Sequence, residues 1–242
     1  MRDPAAPFLT YYDDATSERV ELSGTTFGNW VAKTSNMLVD EFDVEPGSVV
    51  NVRLPLHWIV PVWIAACWQV GATVAIGAQV DAPDIAVVGP HLITVDTGAE
   101  ATIACSLLPM AQGFREPLPS QLNDYFTEVR NHGDFFNSAS PVAPDHETLI
   151  AGTESWNSAG LELAAYSAAT KWQLPAGARI LVSAAGTAAT TGAELSGLDA
   201  VLATLSVPTL IAGSVVMVVN ADPERTAAVA TQEKVTNTVE VT

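Results

Sequence analysis

No charged residue falls between Leu54 and Val80, a run long enough to cross a bilayer. Pro55, His57, Pro61, Gly71 and Gly77 interrupt it, however, and Trp58, Trp63 and Trp68 lie inside it rather than at its edges. A second stretch, Ile180 to Ala221, carries charge only at Glu194 and Asp199. Two such runs in one chain suit parallel strands buried under helices on both faces, which read as continuous apolar sequence without any membrane. The chain has 242 residues, 48% of them apolar and 15% charged, so it can fill a core and is not disordered. Its acidic residues outnumber its basic ones 27 to 10, for a net charge of −17. That balance excludes the basic face needed for nucleic acid and disfavours anionic lipid.

The first residues, Met1 to Pro7, hold no apolar core after Arg2, so no secretory signal is read there and a cytoplasmic location is expected. Cys67 and Cys105 sit among apolar neighbours and read as buried, inert thiols.

Along the chain, Phe8 to Tyr12 and Arg19 to Leu22 flank a turn-forming cluster and read as a hairpin. Ser23 then caps a helix whose apolar face runs from Phe27 to Phe42. After Val44-Glu45-Pro46-Gly47 come a strand to Leu54, a buried helix from Val60 to Val70 closed by Gly71, and a strand to Ile76. The second half repeats this order. A helix runs from Ser158 to Trp172, and Leu174-Pro175-Ala176-Gly177 echoes the first turn. Arg179 to Ser183 is a strand, Glu194 to Leu205 a helix, and Ile211 to Val219 a strand in which Gly213 answers Gly71. The expectation is an internally duplicated βα unit: an α/β protein of two similar lobes with mostly parallel sheets sandwiched by helices. The division expected is residues 1–110 for the first lobe with its hairpin, 111–147 for a linker holding a short amphipathic piece (Leu122 to Val129), and 148–242 for the second lobe. The tail reads as a helix from Pro223 and a last strand, Val235 to Val241.

The hairpin and capped helix, the segment Val44-Glu45-Pro46-Gly47-Ser48-Val49-Val50-Asn51-Val52-Arg53-Leu54-Pro55, and Trp68-Gln69-Val70-Gly71-Ala72 resemble the start of adenylate-forming enzymes. That superfamily includes the acyl-CoA synthetases, nonribosomal adenylation domains and luciferases. The second half, through Leu174 to Leu181 and Leu202 to Val219, is similar to their next lobe, so the chain resembles the N-terminal part of such an enzyme in short, stand-alone form. The resemblance implies chemistry that joins a carboxylate to the α-phosphate of ATP. Such chemistry needs cations and N–H donors around the phosphates. The family supplies them from a Ser/Thr/Gly-rich loop ending in lysine, ahead of the second lobe's first helix. Here that place holds Gly152-Thr153-Glu154, and the lysines are Lys33, Lys171 and Lys234. No aromatic-x-Thr-Glu or aromatic-x-Thr-Gly-Asp motif follows Gly152-Thr153-Glu154 in the sequence.

Gly152 and Thr153 are therefore read as a remnant of a ligand loop. Ser183 to Gly192, with Gly186 and Thr187, follows a strand and precedes a helix, where N–H groups face an anion. His57 follows another strand, at the end where α/β sheets place ligands. Each has a plainer reading, as a turn, a strand-end loop, and a histidine packed on Trp58. Asp145-His146-Glu147 are adjacent on a loop and do not read as a metal site. No catalytic residue is assigned, because no nucleophile–base arrangement emerges. The expected function is a truncated, catalytically degenerate acyl-CoA synthetase-like protein, a non-catalytic ligand-binding or interaction module. Competing readings are an AMP-forming ligase component completed by another chain, and a structural subunit of an oligomer. No cofactor is required on the first reading, and ATP, AMP or acyl-CoA are the ligands a remnant site would retain. The expected partners are a second copy or another protein, because truncation bares apolar surface, together with a small-molecule ligand.

Overall fold

The uncharged run needs buried partners, and the computed structural model, which describes residues 3–138, 142–184 and 194–241, supplies them from both halves of the chain. Strands β1 (Pro7–Asp13) and β2 (Glu18–Ser23) form the expected hairpin. Ser23 accepts the Thr26 N–H at 3.1 Å and starts α1 (Gly24–Phe42), whose buried face includes Val31, Met37 and Leu38. Strand β3 (Val49–Arg53), helix α2 (Ile59–Val70) and strand β4 (Thr73–Ile76) follow. Helix α2 has 12 residues, and no described helix is long and apolar enough to cross a membrane. Trp58 and Trp63 are instead buried against Trp30, Tyr125 and Phe126.

Next come β5 (Ile85–Val88), β6 (Ala101–Ala104) and β7 (Leu122–Asp124). The expected amphipathic piece, Leu122 to Val129, divides into β7 and a single helical turn, Tyr125–Glu128, capped by Asp124. Its aromatic pair is drawn wholly into the core, so the stretch expected to link two lobes contributes to the first sheet and its packing. The second half runs β8 (Glu147–Ala151), β9 (Glu154–Asn157), α3 (Ser158–Lys171) and β10 (Arg179–Ala184). Three helical pieces then run end to end and are named α4 together: Leu198–Val201, a π-helical turn over Leu202–Ser206, and Val207–Leu210. Strand β11 (Ser214–Val219), helix α5 (Pro223–Gln232) and strand β12 (Asn237–Val241) complete the order. The helix expected from Glu194 begins only at Leu198, because residues 194–197 are committed elsewhere: the Leu195 N–H donates to the Leu54 carbonyl at 2.7 Å.

The sheets do not follow the two sequence halves. One has the order β12-β10-β11-β1-β2, and the other β7-β6-β5-β3-β4-β8-β9. Each is parallel except for one hairpin at its edge. The N-terminal hairpin enters the second half's sheet, with Leu9 to Asp13 parallel to Val215 to Val219. Reciprocally, β8 and β9 enter the first half's sheet, with Leu149 to Ala151 parallel to Val74 to Ile76. Divisions at 110 and 147 are therefore crossed by paired strands, although hairpin, helix, strand, helix, strand does recur in each half.

Alternation sorts the strands into layers. Ile180, Val182, Val215 and Met217 join the large common core, whereas Leu181, Val216 and Val218 face outward under Val229 of α5. In the other sheet Ile85, Val87 and Ile103 face inward, and Ala86, Val88 and Ala104 meet Leu92, Phe114 and Leu118 outside. Helices α1, α2, α3 and α4 fill the space between the sheets. Cys67 and Cys105 are fully buried within that core, and burial pushes both thiols up from their ordinary pKa.

The repeat also holds at single hydrogen bonds, one residue away from its expected register. Thr73 N–H bonds the Ser48 carbonyl at 2.8 Å, and Ser214 N–H bonds the Ala178 carbonyl at 3.0 Å. The left-handed residue closing α2 is Gly71, at φ 85°, and its counterpart after α4 is Ala212, at φ 52°. Gly213 is needed for another reason, since a Cβ there would stand 2.4 Å from the Ala178 carbonyl oxygen. Gly213→Ala is thus expected to lower stability by about 1–3 kcal/mol in urea denaturation, by overpacking a backbone contact. Ala212→Gly is expected to change it by less than about 1 kcal/mol, as left-handed strain is traded for chain entropy. The reverse ranking would contradict the close approach of Gly213 to the Ala178 carbonyl.

Candidate functional site

Parallel strands deliver their following loops to one edge, and both sheets do so here. Residues 194–197, ahead of α4, lie against the strand ends of β3 and β4. Arg53, at the end of β3, donates from Nε and Nη2 to the Glu194 carboxylate at 3.1 and 3.0 Å. Both side chains remain partly open to solvent. Alongside, Gly77 at φ 56° follows β4 and lies so near Ser196 that a Cβ would stand 2.3 Å from the serine Cβ. Gly152 completes the group by donating its N–H to the Ile76 carbonyl at 3.2 Å.

Gly152 and Thr153 form the two-residue turn between β8 and β9, and both are exposed. Gly152 has φ 63°, the left-handed first position that glycine fills in a tight hairpin, which accounts for it without a ligand. The next residue, Glu154, is exposed and brings negative charge to the same tip. His57 is elsewhere in character: it is fully buried, its ring 4.8 Å from Tyr11 and 5.5 Å from Trp58. Its Nδ1 accepts the Ile59 N–H at 3.3 Å, at the start of α2, and its Nε2 has no hydrogen-bond partner among the described residues. Burial pushes its pKa down to about 3, against a smaller opposing pull from Asp13, so the ring stays neutral. Gly186 and Thr187 lie outside the described residues. The structure therefore brings Gly152 and Thr153 to the strand-end edge beside Gly77 and Ser196, while His57 is walled off from solvent.

Among the described residues no His, Cys, Asp or Glu cluster could hold a metal ion, Asp145, His146 and Glu147 included. Sequence reasoning missed the Arg53–Glu194 pair. Its signal was present: each is a lone charge at or near an apolar stretch, and a charge kept there needs a partner.

This architecture matches solved structures along nearly its whole length. A Brucella canis acyl-CoA synthetase superposes with a TM-score of 0.74 at 15% identity, covering 98% of this chain and 45% of that one. The chain has the acyl-CoA synthetase fold. It is also shared by the ATP-bound RpMatB-BxBclM chimera B3, with a TM-score of 0.66 at 15% identity, over 99% of this chain and 46% of the chimera. In sequence, 38% identity over 156 residues relates the chain to a Mycobacterium tuberculosis protein described as a TIGR03089 family protein. That match covers 60% of this chain and 58% of the relative. No family model matches the chain. This chain thus spans less than half of either of these solved structures.

The buried histidine makes stability depend on pH. Unfolding exposes His57 to protonation near its ordinary pKa of about 6.5, while the native ring stays neutral to about 3. Stability is then fully present above pH 6.5 and lost as pH falls toward 3, by about 2 kcal/mol at pH 5. Urea denaturation of wild type and His57→Phe at pH 7 and pH 5 is expected to show a smaller pH loss in the variant. Equal losses would contradict a buried, neutral His57.

Proposed function

We propose that this chain is a non-catalytic binding or interaction module built on the acyl-CoA synthetase fold, one that has lost the means of adenylating a carboxylate. The observation that carries this reading is the state of its strand-end edge. Transfer to the α-phosphate of ATP spreads negative charge over phosphate oxygens, which must meet free cations and N–H donors. At this edge the Arg53 guanidinium is engaged through two nitrogens by Glu194. The Gly152–Thr153 turn leads into Glu154, and Lys171 lies at the far end of α3. A net charge of −17 further opposes a polyanionic nucleotide.

The competing reading is an AMP-forming ligase component completed by another chain. It draws on solved neighbours of which this chain covers only 45% and 46%. The two readings diverge with the purified protein. ATP–pyrophosphate exchange with a panel of carboxylic acids is expected to stay at background, and thermal shift with MgATP to show no stabilisation. Robust exchange would overturn the proposal. MgATP stabilisation without exchange would favour the component reading.

A further inference from the structure

Away from the strand-end edge, the helix layer between the sheets contains a cavity of about 570 Å³, within the size range of small-molecule sites. All four inner helices wall it, through Phe27, Trp68, Leu161, Ala165, Leu205 and Leu210. The polar groups near these walls are mostly satisfied within the protein. Trp68 Nε1 donates to the Thr148 carbonyl at 2.9 Å, and Thr148 and Ser158 share a hydroxyl–hydroxyl bond of 3.1 Å. The cavity therefore offers apolar surface rather than an array of donors.

Two further observations narrow what would occupy it. The first is Ser206, a lining residue in the π-helical turn of α4. Pro208, which lacks an N–H, breaks the ordinary helical ladder here, and the Val207 N–H reaches the Leu202 carbonyl instead. Thr204 in the same turn satisfies its hydroxyl on the Ala200 carbonyl at 2.7 Å, but the Ser206 Oγ is buried with no partner among the described residues. A buried hydroxyl left so costs about 1–3 kcal/mol, but its oxygen has essentially no accessible surface and so offers the cavity no polar contact. The second is charge: among the described residues that line the cavity, Glu162, exposed on α3, is the one charged residue. In a protein of net charge −17, it turns anions away and tolerates neutral or cationic molecules.

We propose that this cavity is a binding site for a neutral or cationic, mainly apolar small molecule. The site is separate from the strand-end edge, so this inference goes beyond the reading above, and the exchange assay and the one below fail independently.

The test is displacement of the neutral fluorophore N-phenyl-1-naphthylamine from the full chain by decanol, decylamine and decanoate. Saturable binding is expected, with decanol and decylamine at least about tenfold tighter than decanoate. Glu162→Gln is expected to narrow the gap between decanol and decanoate to less than about threefold, because it removes the repelling charge. Filling the cavity by Ala165→Phe from α3, or by Ala65→Leu from α2, is expected to weaken displacement at least about tenfold with the circular dichroism unchanged. Absence of saturable binding would overturn the proposal, as would decanoate binding as tightly as decanol, or normal binding by both filled variants. Should the filled variants fail to fold, Glu162→Gln decides alone: an unchanged preference against decanoate overturns the site.

Discussion

The reciprocal docking of two hairpins is the constraint on which the rest of the structure depends. β1 pairs with β11, the last strand of the second unit, and β8 pairs with β4, the last strand of the first. Each unit thereby lends its antiparallel edge to the other's parallel sheet. The helices between the sheets are closed in on both sides, and one hydrophobic core draws on both halves. The exchange also sets the strand ends of β4 and β8 side by side, which carries Gly152 to Ile76 and leaves room for residues 194–196 to seal against Leu54 and Gly77.

Much of the local order was legible because it rests on local chemistry. Ser23 and Asp222 accept helix N–H groups where capping residues are expected, and Gly71 takes the left-handed position at the end of α2. What escaped has physical reasons. Strands β5 and β6 are four residues each, rich in alanine and valine, and show no polar alternation because both faces are covered. The exchanged hairpins join segments far apart in the chain, and no local periodicity records such pairing. The turn Gly152–Thr153 drew notice as a ligand remnant, yet its glycine answers a backbone demand. The repeat was read one residue out of step because Ala212 accepts the conformation that Gly71 holds in the first unit.

The same fold leaves two places of opposite character. At the strand ends, charge is present and spent: Arg53 on Glu194, beside an exposed acidic hairpin tip. Between the helices, apolar volume is present and Glu162 is the one charge among the described residues that line it. Helix α3 belongs to both, since it starts after the hairpin carrying Gly152 and walls the cavity with Leu161 and Ala165. Its buried face is thin, alanine for the most part, which is why packing against α4 leaves space there.

The interlocked hairpins are tested most directly by native-state hydrogen exchange across a urea series. If each sheet needs the other unit's hairpin, the amides of β4 and β8 and those of β1 and β11 should share one opening free energy, equal to that of global unfolding. Two separate isotherms, one for residues of the first half and one for those of the second, would contradict the interlock.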